Sequence, residues 1–345
     1  MAILGIWLCK IGVKRDSARA AQKEVVRRAV AVGFLRLPIV MRKAREFDVA
    51  VVGGGPAGLS SALWLGRYLL KTVLIDSGDP RNWETASVNG YLGLPRVRPA
   101  ALRRRGRGEC RRYGVKLING AVDRADRTDI ERFELTLQDG RRFAVRRLVL
   151  AIGLKDVWPD LPGLDRCYGQ SAHHCPDCDG YDTCNRKTLV VGYGRKAVAL
   201  AFALATWTRD LIVCTNGHPC DIPRELVHKL DALNIPIVET RVRWVHSEGS
   251  RLRWLELADG MHLDAEKLFF TVSHYPADDL GVQLGCERDE DGLILVDHAK
   301  RTSVENVWAV GDITPGPQLA ISAAADGAVA AAAVQRSLLP ETVRL

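Results

Sequence analysis

The chain has 345 residues, with 49 Lys and Arg against 41 Asp and Glu, and therefore a formal net charge of +8. A hydrophobic fraction of 47% and a charged fraction of 26% are typical of folded globular proteins, and they exclude the disordered and collagen-like classes. The length indicates about two domains, and no apolar run reaches the roughly 18–20 residues that a membrane-spanning helix needs.

The excess positive charge lies at the N-terminus. Residues 1–45 contain 11 basic residues against Asp16 and Glu24, which leaves 38 basic and 39 acidic residues, a net charge of −1, in residues 46–345. We predict that residues 1–45 are a disordered basic extension, which is either dispensable, with translation starting at Met41, or a targeting or surface-binding arm. Because the rest of the chain is neutral, we expect neither nucleic acid nor a membrane as a partner.

A dinucleotide-binding pattern begins directly after the extension. A predicted buried strand over 47–52 enters the glycine-rich turn 53–58, and a predicted helix follows over 59–65. The three glycines of a GxGxxG turn allow a tight turn, close approach to a pyrophosphate and close helix–strand packing. A second strand over 72–75 ends in Asp76, where an acid is expected to bind ribose hydroxyls.

The same pattern recurs in the second half of the chain. A strand over 188–191 leads into a GxGxxA turn over 192–197, followed by a helix over 198–204 and a strand over 211–214. Two such units predict an α/β protein with two Rossmann-like dinucleotide-binding domains. Residues 214–221 contain no Arg cluster, and no acid comes directly after the last strand, so the residues here do not specify the nicotinamide nucleotide.

A cysteine pair, Cys175-Pro-Asp-Cys178, lies between the two units. Cysteines at this spacing can close a disulfide on the first turn of a helix, where the helix N-terminus lowers the thiol pKa. Asp179 follows directly and could exchange a proton with a thiol. A zinc site with His173 and His174, and inert structural thiols, remain alternatives. The odd total of nine cysteines fits a reducing compartment, and we expect the cytoplasm.

Two further apolar strands are predicted to complete the first nucleotide site. One spans 148–153 and the other, 307–312, ends in Gly311-Asp312, ahead of a helix rich in small residues. Because Gly53 and Asp312 would serve one ligand, the first domain must be discontinuous. We predict a first domain of residues 46–156 and 273–340, and an inserted domain of residues 157–272 that carries the cysteine pair.

The chain also contains a basic run, residues 103–112, with six Arg. On a helix these side chains would spread around the surface. The run is predicted to be a solvated face, with a docking patch for an acidic electron-carrier protein as the alternative.

Together, these motifs resemble the low-molecular-weight thioredoxin reductases and their thioredoxin-reductase-like flavoprotein relatives. The resemblance covers residues 46–338. It depends on motifs that occur in the same order as in the family: Gly53–Gly58, Asn89–Gly93, Ala151–Gly153, Cys175–Gly180, Gly192–Ala197, and Gly311-Asp312 with Gln318.

The resemblance implies an FAD enzyme in which Cys178 faces the flavin, Cys175 attacks the partner disulfide and Asp179 is the general acid. It implies no metal. The implied FAD-binding residues are Gly53, Gly55, Pro56, Ala57, Gly58, Asp76, Asn89, Ala151, Gly153, Gly311, Asp312, Gln318, Leu319 and Ala320. The implied nicotinamide-nucleotide residues are Gly192, Gly194 and Ala197.

The expected activity is therefore electron transfer from a reduced donor, through FAD and the Cys175–Cys178 disulfide, to a thioredoxin-like protein or a low-molecular-weight disulfide. By the same resemblance, the protein is expected to be a homodimer. The family's His-Arg-Arg signature for NADPH aligns with residues 215–217, Thr-Asn-Gly, so NADH, ferredoxin or another donor is an alternative to NADPH. Two other functions remain open: a dithiol oxidase that uses oxygen, and a non-catalytic flavin- or nucleotide-binding regulator.

Overall fold

The computed structural model describes residues 45–340 and Thr342. The predicted extension of residues 1–45 lies, apart from Arg45, outside this described part of the chain. Within the described part, no helix has both the length and the apolar character that crossing a membrane requires.

The described chain contains more strands than helices, with two long runs of consecutive strands, β3 to β8 and β11 to β16. The strands are β1 (Arg45–Val52), β2 (Thr72–Asp76), β3 (Lys116–Asn119), β4 (Val122–Asp129), β5 (Arg132–Leu137), β6 (Arg142–Leu150), β7 (Leu154–Val157), β8 (Ala172–His173), β9 (Thr188–Val191), β10 (Leu211–Cys214), β11 (Ile237–Val238), β12 (Val242–Glu248), β13 (Arg251–Leu257), β14 (His262–Asp264), β15 (Lys267–Phe270), β16 (Ser273–Pro276) and β17 (Val307–Ala309). The α-helices are α1 (Pro56–Arg67), α2 (Pro99–Arg112), α3 (Pro176–Asp179), α4 (Gly194–Leu204), α5 (Arg224–Ala232), α6 (Leu280–Gln283) and α7 (Ala320–Ser337). Short 3-10 helices span Leu164–Arg166, Gly180–Thr183 and Gly311–Ile313.

The first sheet contains β1 and β2, the two strands of the first predicted nucleotide site, and the C-terminal strand β17. Its order is β3-β2-β1-β6-β5-β4, and β17 pairs with β6. The strands β3, β2, β1, β6 and β17 are parallel, whereas β4, β5 and β6 form an antiparallel meander. Val49 and Val51 pack beneath helices α1 and α7, and Ala50 and Val52 pack on the meander side. Burial on both faces explains why β1 is an uninterrupted apolar run.

The second sheet is parallel throughout, in the order β11-β10-β9-β15-β8. Its strands β9 and β10 coincide with the predicted strands 188–191 and 211–214. The antiparallel strands β12, β13 and β14 form a separate sheet whose apolar side chains join the same core. The predicted fold class, an α/β protein with two Rossmann-like units, is confirmed.

The chain passes between the two sheets through β7 and β16, which pair with each other in antiparallel fashion. The second sheet is therefore inserted between β6 and β17 of the first. The predicted domain boundaries, after residues 156 and 272, fall within or beside this two-stranded ribbon, and they stay a prediction.

Two predicted strands are shorter in the structure. The strand predicted over 148–153 ends at Leu150, and the one predicted over 307–312 ends at Ala309. The reason in the second case is Gly311, whose φ of +76° takes the backbone out of the extended region and into a 3-10 turn.

Candidate active site

One cavity of about 570 Å³ lies at the carboxyl ends of the parallel strands of the first sheet. That edge is where α/β sheets bind their ligands. The cavity brings together nearly all the predicted flavin-site residues and all three predicted catalytic residues: Gly53, Gly55, Pro56, Ala57, Asp76, Asn89, Ala151, Gly153, Gly311, Asp312, Gln318, Leu319, Ala320, Cys175, Cys178 and Asp179. Gly58 does not line the cavity, because it packs against the Gly53 carbonyl behind the turn.

The glycine-rich turn has the shape of a phosphate cradle. Gly53 has a φ of +105°, and a Cβ at this position would lie 2.1 Å from the Ala151 carbonyl oxygen, so no other residue fits. A Cβ on Gly55 would meet no protein atom within 4 Å, which leaves the backbone open to the cavity. Helix α1 begins here without a side-chain cap and without an acid in its first turn. Its first N–H groups are available for an anion.

The two cysteines form a disulfide, Cys175–Cys178, with a Cα–Cα distance of 5.3 Å. Cys175 is the N-cap of the short helix α3, and the Cys178 N–H donates to its Sγ over 3.1 Å. A disulfide leaves no thiolate for zinc. Within the described residues, no cluster of three or more His, Cys, Asp or Glu side chains could hold a metal ion.

Asp179 is held in a buried network beside the disulfide. The Asn89 side-chain amide donates to the Cys178 carbonyl over 3.0 Å and to Asp179 Oδ1 over 3.2 Å. His173 Nδ1 lies 3.3 Å from Asp179 Oδ2, and the His173 side chain is 4% exposed. His173 is therefore a buried partner of the Asp179 carboxylate.

His174, by contrast, faces the cavity. Its Nδ1 lies 3.1 Å from the Tyr168 hydroxyl, and its Nε2 lies 3.8 Å from Asp156 Oδ2. Burial lowers the pKa of His174, although the Asp156 carboxylate opposes the shift. At neutral pH, His174 is therefore an uncharged imidazole directly before Cys175.

Sequence reasoning missed Arg81, which lies in the loop after β2. Its guanidinium donates to both carboxylate oxygens of Asp156, over 2.8 and 2.6 Å, and to Asp312 Oδ2 over 3.0 Å. It also donates to Gln318 Oε1 over 2.7 Å. A single Arg in a loop follows no periodic pattern, so the sequence offered no signal for this role.

The prediction that the basic run is a solvated face is wrong for Arg103 and Arg107. Arg103 and Arg107, on helix α2, both donate to Asp76 Oδ2, the latter over 2.8 Å. Their side chains are only 18% and 16% exposed. The helix places them four residues apart on one face, opposite the carboxylate at the end of β2. The acid expected to bind a ribose is therefore already paired with two cations.

The second glycine turn, with Gly192, Gly194 and Ala197, lies at the second sheet and does not line the cavity. Tyr193, between the two glycines, stacks on His218 with ring centroids 4.0 Å apart. His218 follows β10, so the ring pair connects the glycine turn to the segment after the next strand. In a Rossmann unit, the nucleotide's pyrophosphate and ribose lie between these two segments.

The other described cysteines are free. Burial raises the pKa of the Cys110 and Cys167 thiols to about 11, so neither is a reactive thiolate at neutral pH. Within the described residues, the one disulfide is Cys175–Cys178.

Residues 47–327 match the pyridine nucleotide-disulphide oxidoreductase family, and the chain belongs to that family. This assignment accounts for a glycine-rich dinucleotide cradle and a disulfide in one cavity. Within the family the chain is a thioredoxin-reductase-like oxidoreductase, as its individual relatives indicate.

Two curated relatives are named thioredoxin reductases. The Helicobacter pylori thioredoxin reductase is 29% identical over 308 residues, which cover 83% of this chain and 97% of the relative. Thioredoxin reductase tcpT of Claviceps purpurea is 28% identical, and the match covers 79% of this chain and 88% of the relative.

Two solved structures have the same fold. The crystal structure of HlmI is 36% identical with a TM-score of 0.81, and the match covers 85% of this chain and 92% of that one. A putative thioredoxin reductase, TrxB from Bacillus anthracis, is 27% identical with a TM-score of 0.79, and the match covers 85% and 98% of the two chains.

Proposed function

We propose that this protein is an FAD-dependent thiol–disulfide oxidoreductase whose working group is Cys175–Cys178. The observation that carries the proposal is that the disulfide and the glycine-rich turn line one cavity. In the direction its relatives' names suggest, NAD(P)H and a proton would reduce an external disulfide to two thiols. The acceptor would be a thioredoxin-like protein or a small disulfide.

The cavity fits a flavin dinucleotide. The uncapped N-terminus of α1 and the open backbone at Gly55 would hold the pyrophosphate, and Asp76 with its paired arginines would lie at the adenosine end. Asp312 and Gln318, fixed by Arg81, would hold the flavin end. When bound, FAD would supply a carrier of two electrons and two protons beside the cysteines.

The geometry supports distinct roles for the two cysteines. The Cys178 N–H points at Cys175 Sγ, so after reduction it would stabilise a thiolate on Cys175. That thiolate would attack the external disulfide, and one sulfur of that disulfide would leave as a thiol. The Cys178 thiol would then resolve the mixed disulfide, release the second thiol and restore Cys175–Cys178. Asp179, paired with His173, would take up and return the proton of Cys178.

A second candidate, dithiol oxidation, is favoured by the Tyr193–His218 stack. The ring pair connects the two segments between which the nucleotide of a reduced pyridine donor would bind, and it would compete with that nucleotide. Without such a donor the same cysteines could run in the opposite direction, so that a dithiol and O₂ give a disulfide and hydrogen peroxide. Neutral His174, next to Cys175, is suited to accept a proton from an entering thiol.

Anaerobic stopped-flow measurement of the flavin absorbance tests the proposal and separates its two directions. Purified wild-type protein should be yellow. Rapid bleaching by NADPH or NADH would support the reductase. Bleaching by dithiothreitol alone, with one hydrogen peroxide formed per dithiol after air is admitted, would support the oxidase.

Cys178→Ser is the decisive variant. It should bind FAD as the wild type does but lose more than about 99% of disulfide reduction or dithiol oxidation, because no disulfide can close. Cys184→Ser, at an exposed free cysteine, is the matched control and should retain full activity. A colourless protein that cannot be reconstituted with FAD, or an active Cys178→Ser variant, would refute the proposed function.

Two features of the cellular context are also proposals. The free thiols of the described chain suit a reducing compartment, and we propose the cytoplasm. We also propose a homodimer on the strength of the family resemblance, and light scattering of the purified protein would test it.

A further inference from the structure

A chain of polar side chains leads from the disulfide to a lysine at the first residue of β15, an inner strand of the second sheet. Asp179 Oδ2 lies 3.3 Å from His173 Nδ1, and His173 Nε2 lies 3.5 Å from Lys267 Nζ. The Gln170 carbonyl oxygen lies 3.1 Å from both His173 Nε2 and Lys267 Nζ. Strand pairing fixes the arrangement, because β8, which ends at His173, lies beside β15, which begins at Lys267.

Both ring nitrogens of His173 face oxygen atoms that accept hydrogen bonds, so each nitrogen needs a proton, and one of these protons is shared with Asp179. The Gln170 carbonyl only accepts hydrogen bonds, so it favours a proton on Nε2. Asp179 faces Nδ1 and, when ionised, also only accepts. In the neutral pair, one proton therefore lies between Asp179 and Nδ1, on either partner. Such an arrangement passes a proton along the imidazole with little movement of heavy atoms.

Every turnover of the cysteine pair requires protons to be moved to or from the sulfur atoms. When two thiols close to a disulfide, two electrons and two protons leave the sulfurs. Under the proposed function the bound flavin takes the electrons. Asp179 and His173 are both buried, at 8% and 4% exposure, so a proton accepted from Cys178 needs a route out.

We infer that Lys267 is the solvent end of a proton relay, Cys178–Asp179–His173–Lys267, that leads from the disulfide to the start of β15. This inference rests on the proposed function and adds a residue and a path to it. In the outward direction, Asp179 takes the thiol proton on one carboxylate oxygen while the proton shared by its other oxygen moves fully to Nδ1, and Nε2 gives its proton to the neutral Lys267 amine. Water then takes that proton, and the inward direction reverses each transfer.

The surroundings of Lys267 suit an amine that changes its protonation state. Its side chain is half-buried at the start of β15. Burial lowers its pKa, Asp182 and Asp179 oppose this, and Arg186 and Arg96 reinforce it. Among these neighbours, Arg96 is itself paired with Asp182 over 3.3 Å, and Arg186 with Glu266 over 3.0 Å. The neutral amine that the relay needs is therefore more accessible than for a solvated lysine.

Paired substitutions of Lys267 test the relay. Lys267→Met removes the amine, whereas Lys267→Arg keeps the positive charge and a donor for the Gln170 carbonyl but cannot lose a proton in this pH range. Both variants should slow single-turnover flavin reduction by dithiothreitol about tenfold, a modest share of the usual general acid–base contribution. The solvent deuterium isotope effect should rise, and the pH at which the rate is half-maximal should shift.

Chemical rescue and a matched control separate a relay from a structural role. Ethylamine should partly restore the rate of Lys267→Ala, and more so as the pH rises towards the pKa of the amine. Lys187→Met, at a half-buried lysine just before β9, should leave the rate, isotope effect and pH profile unchanged. FAD content and circular dichroism should match the wild type in all variants.

The outcomes are distinct. Recovery of the wild-type rate and pH profile by Lys267→Arg, or wild-type behaviour of Lys267→Met, would overturn the relay while leaving the proposed function intact. If the wild type itself gave no flavin signal that depends on Cys178, the proposed function would fall and the relay with it.

Discussion

At the scale of single residues, Arg81 organises the flavin end of the cavity. One guanidinium binds the carboxylates of Asp156 and Asp312 and the Gln318 amide oxygen. Burial alone would lower the pKa of Arg81, but Asp156 and Asp312 raise it, so it remains a cation. The Asp156 side chain is only 4% exposed, so it depends on this partner.

Arg81→Met should therefore weaken both the fold and cofactor binding. Removing one partner of a buried ion pair leaves an uncompensated charge, and we expect a loss of about 3 kcal/mol in the free energy of unfolding. Asp312 and Gln318 would lose their positioning, and the Kd for FAD should rise at least about tenfold. Urea unfolding and FAD titration of the apoprotein measure the two effects. The exposed Arg105→Met on α2 is the control, and equal values for both variants would contradict this role.

Some residues of the cavity could be identified from the sequence, and others could not. Asp312 and Gln318 belong to a recognisable motif, and the structure places both in the cavity. Arg81 contacts them across 231 and 237 positions of sequence, and no local pattern encodes a contact at that separation. His173 stood out in the sequence only as a possible zinc ligand, and its contact with Lys267, which strand pairing brings from 94 positions away, was not predictable.

At the scale of elements, the approach of helix α7 to helix α1 positions the glycine-rich turn. Gly327 lies at the contact, where a Cβ would stand 2.2 Å from the Ala57 carbonyl oxygen. The sequence shows that this helix is rich in small residues, but its partner was not predictable, since a small-residue face fits many neighbours. Strands β9 and β10 were predicted to the residue because buried parallel strands are continuous apolar runs with clear ends.

Gly327→Ala should destabilise the protein even though alanine favours a helix. The added methyl group raises helix propensity by about 1 kcal/mol. The clash with backbone requires the helices to separate, which costs typically 1–3 kcal/mol when a core is overpacked. We expect a net loss of about 1 kcal/mol or more in the free energy of unfolding, together with weaker FAD binding.

Gly108→Ala on helix α2 is the matched control for this substitution. A Cβ there would meet no atom within 4 Å, so the propensity gain should appear alone and raise stability by up to about 1 kcal/mol. Urea denaturation of both variants gives the comparison. A Gly327→Ala variant as stable as Gly108→Ala would show that the two helices separate without cost.

At the scale of the whole molecule, the second Rossmann unit repeats the plan of the first, but its glycine turn carries a stacked pair of rings. Its sheet and glycine turn follow the same plan as the first unit. Both turns are open at their middle glycine, since a Cβ on Gly55 or on Gly194 would meet no protein atom within 4 Å, but the second turn also carries Tyr193 stacked on His218. The glycine spacing predicted the geometry of this turn. It could not predict that Tyr193, between the glycines, would stack on His218, which follows β10.

The ring pair should therefore control whether pyridine nucleotides reduce the enzyme. In Tyr193→Gly/His218→Ala, the space between the glycine turn and the segment after β10 is cleared, so the N-terminus of α4 can receive a pyrophosphate. We expect the rate of anaerobic flavin bleaching by NADPH or NADH to rise at least about tenfold, while bleaching by dithiothreitol stays unchanged. Tyr193→Phe keeps the stack and should behave as the wild type. The stack does not limit access if either nucleotide already bleaches the wild-type flavin within milliseconds, or if the double variant is bleached no faster than the wild type. Either result would remove the main structural support for dithiol oxidation.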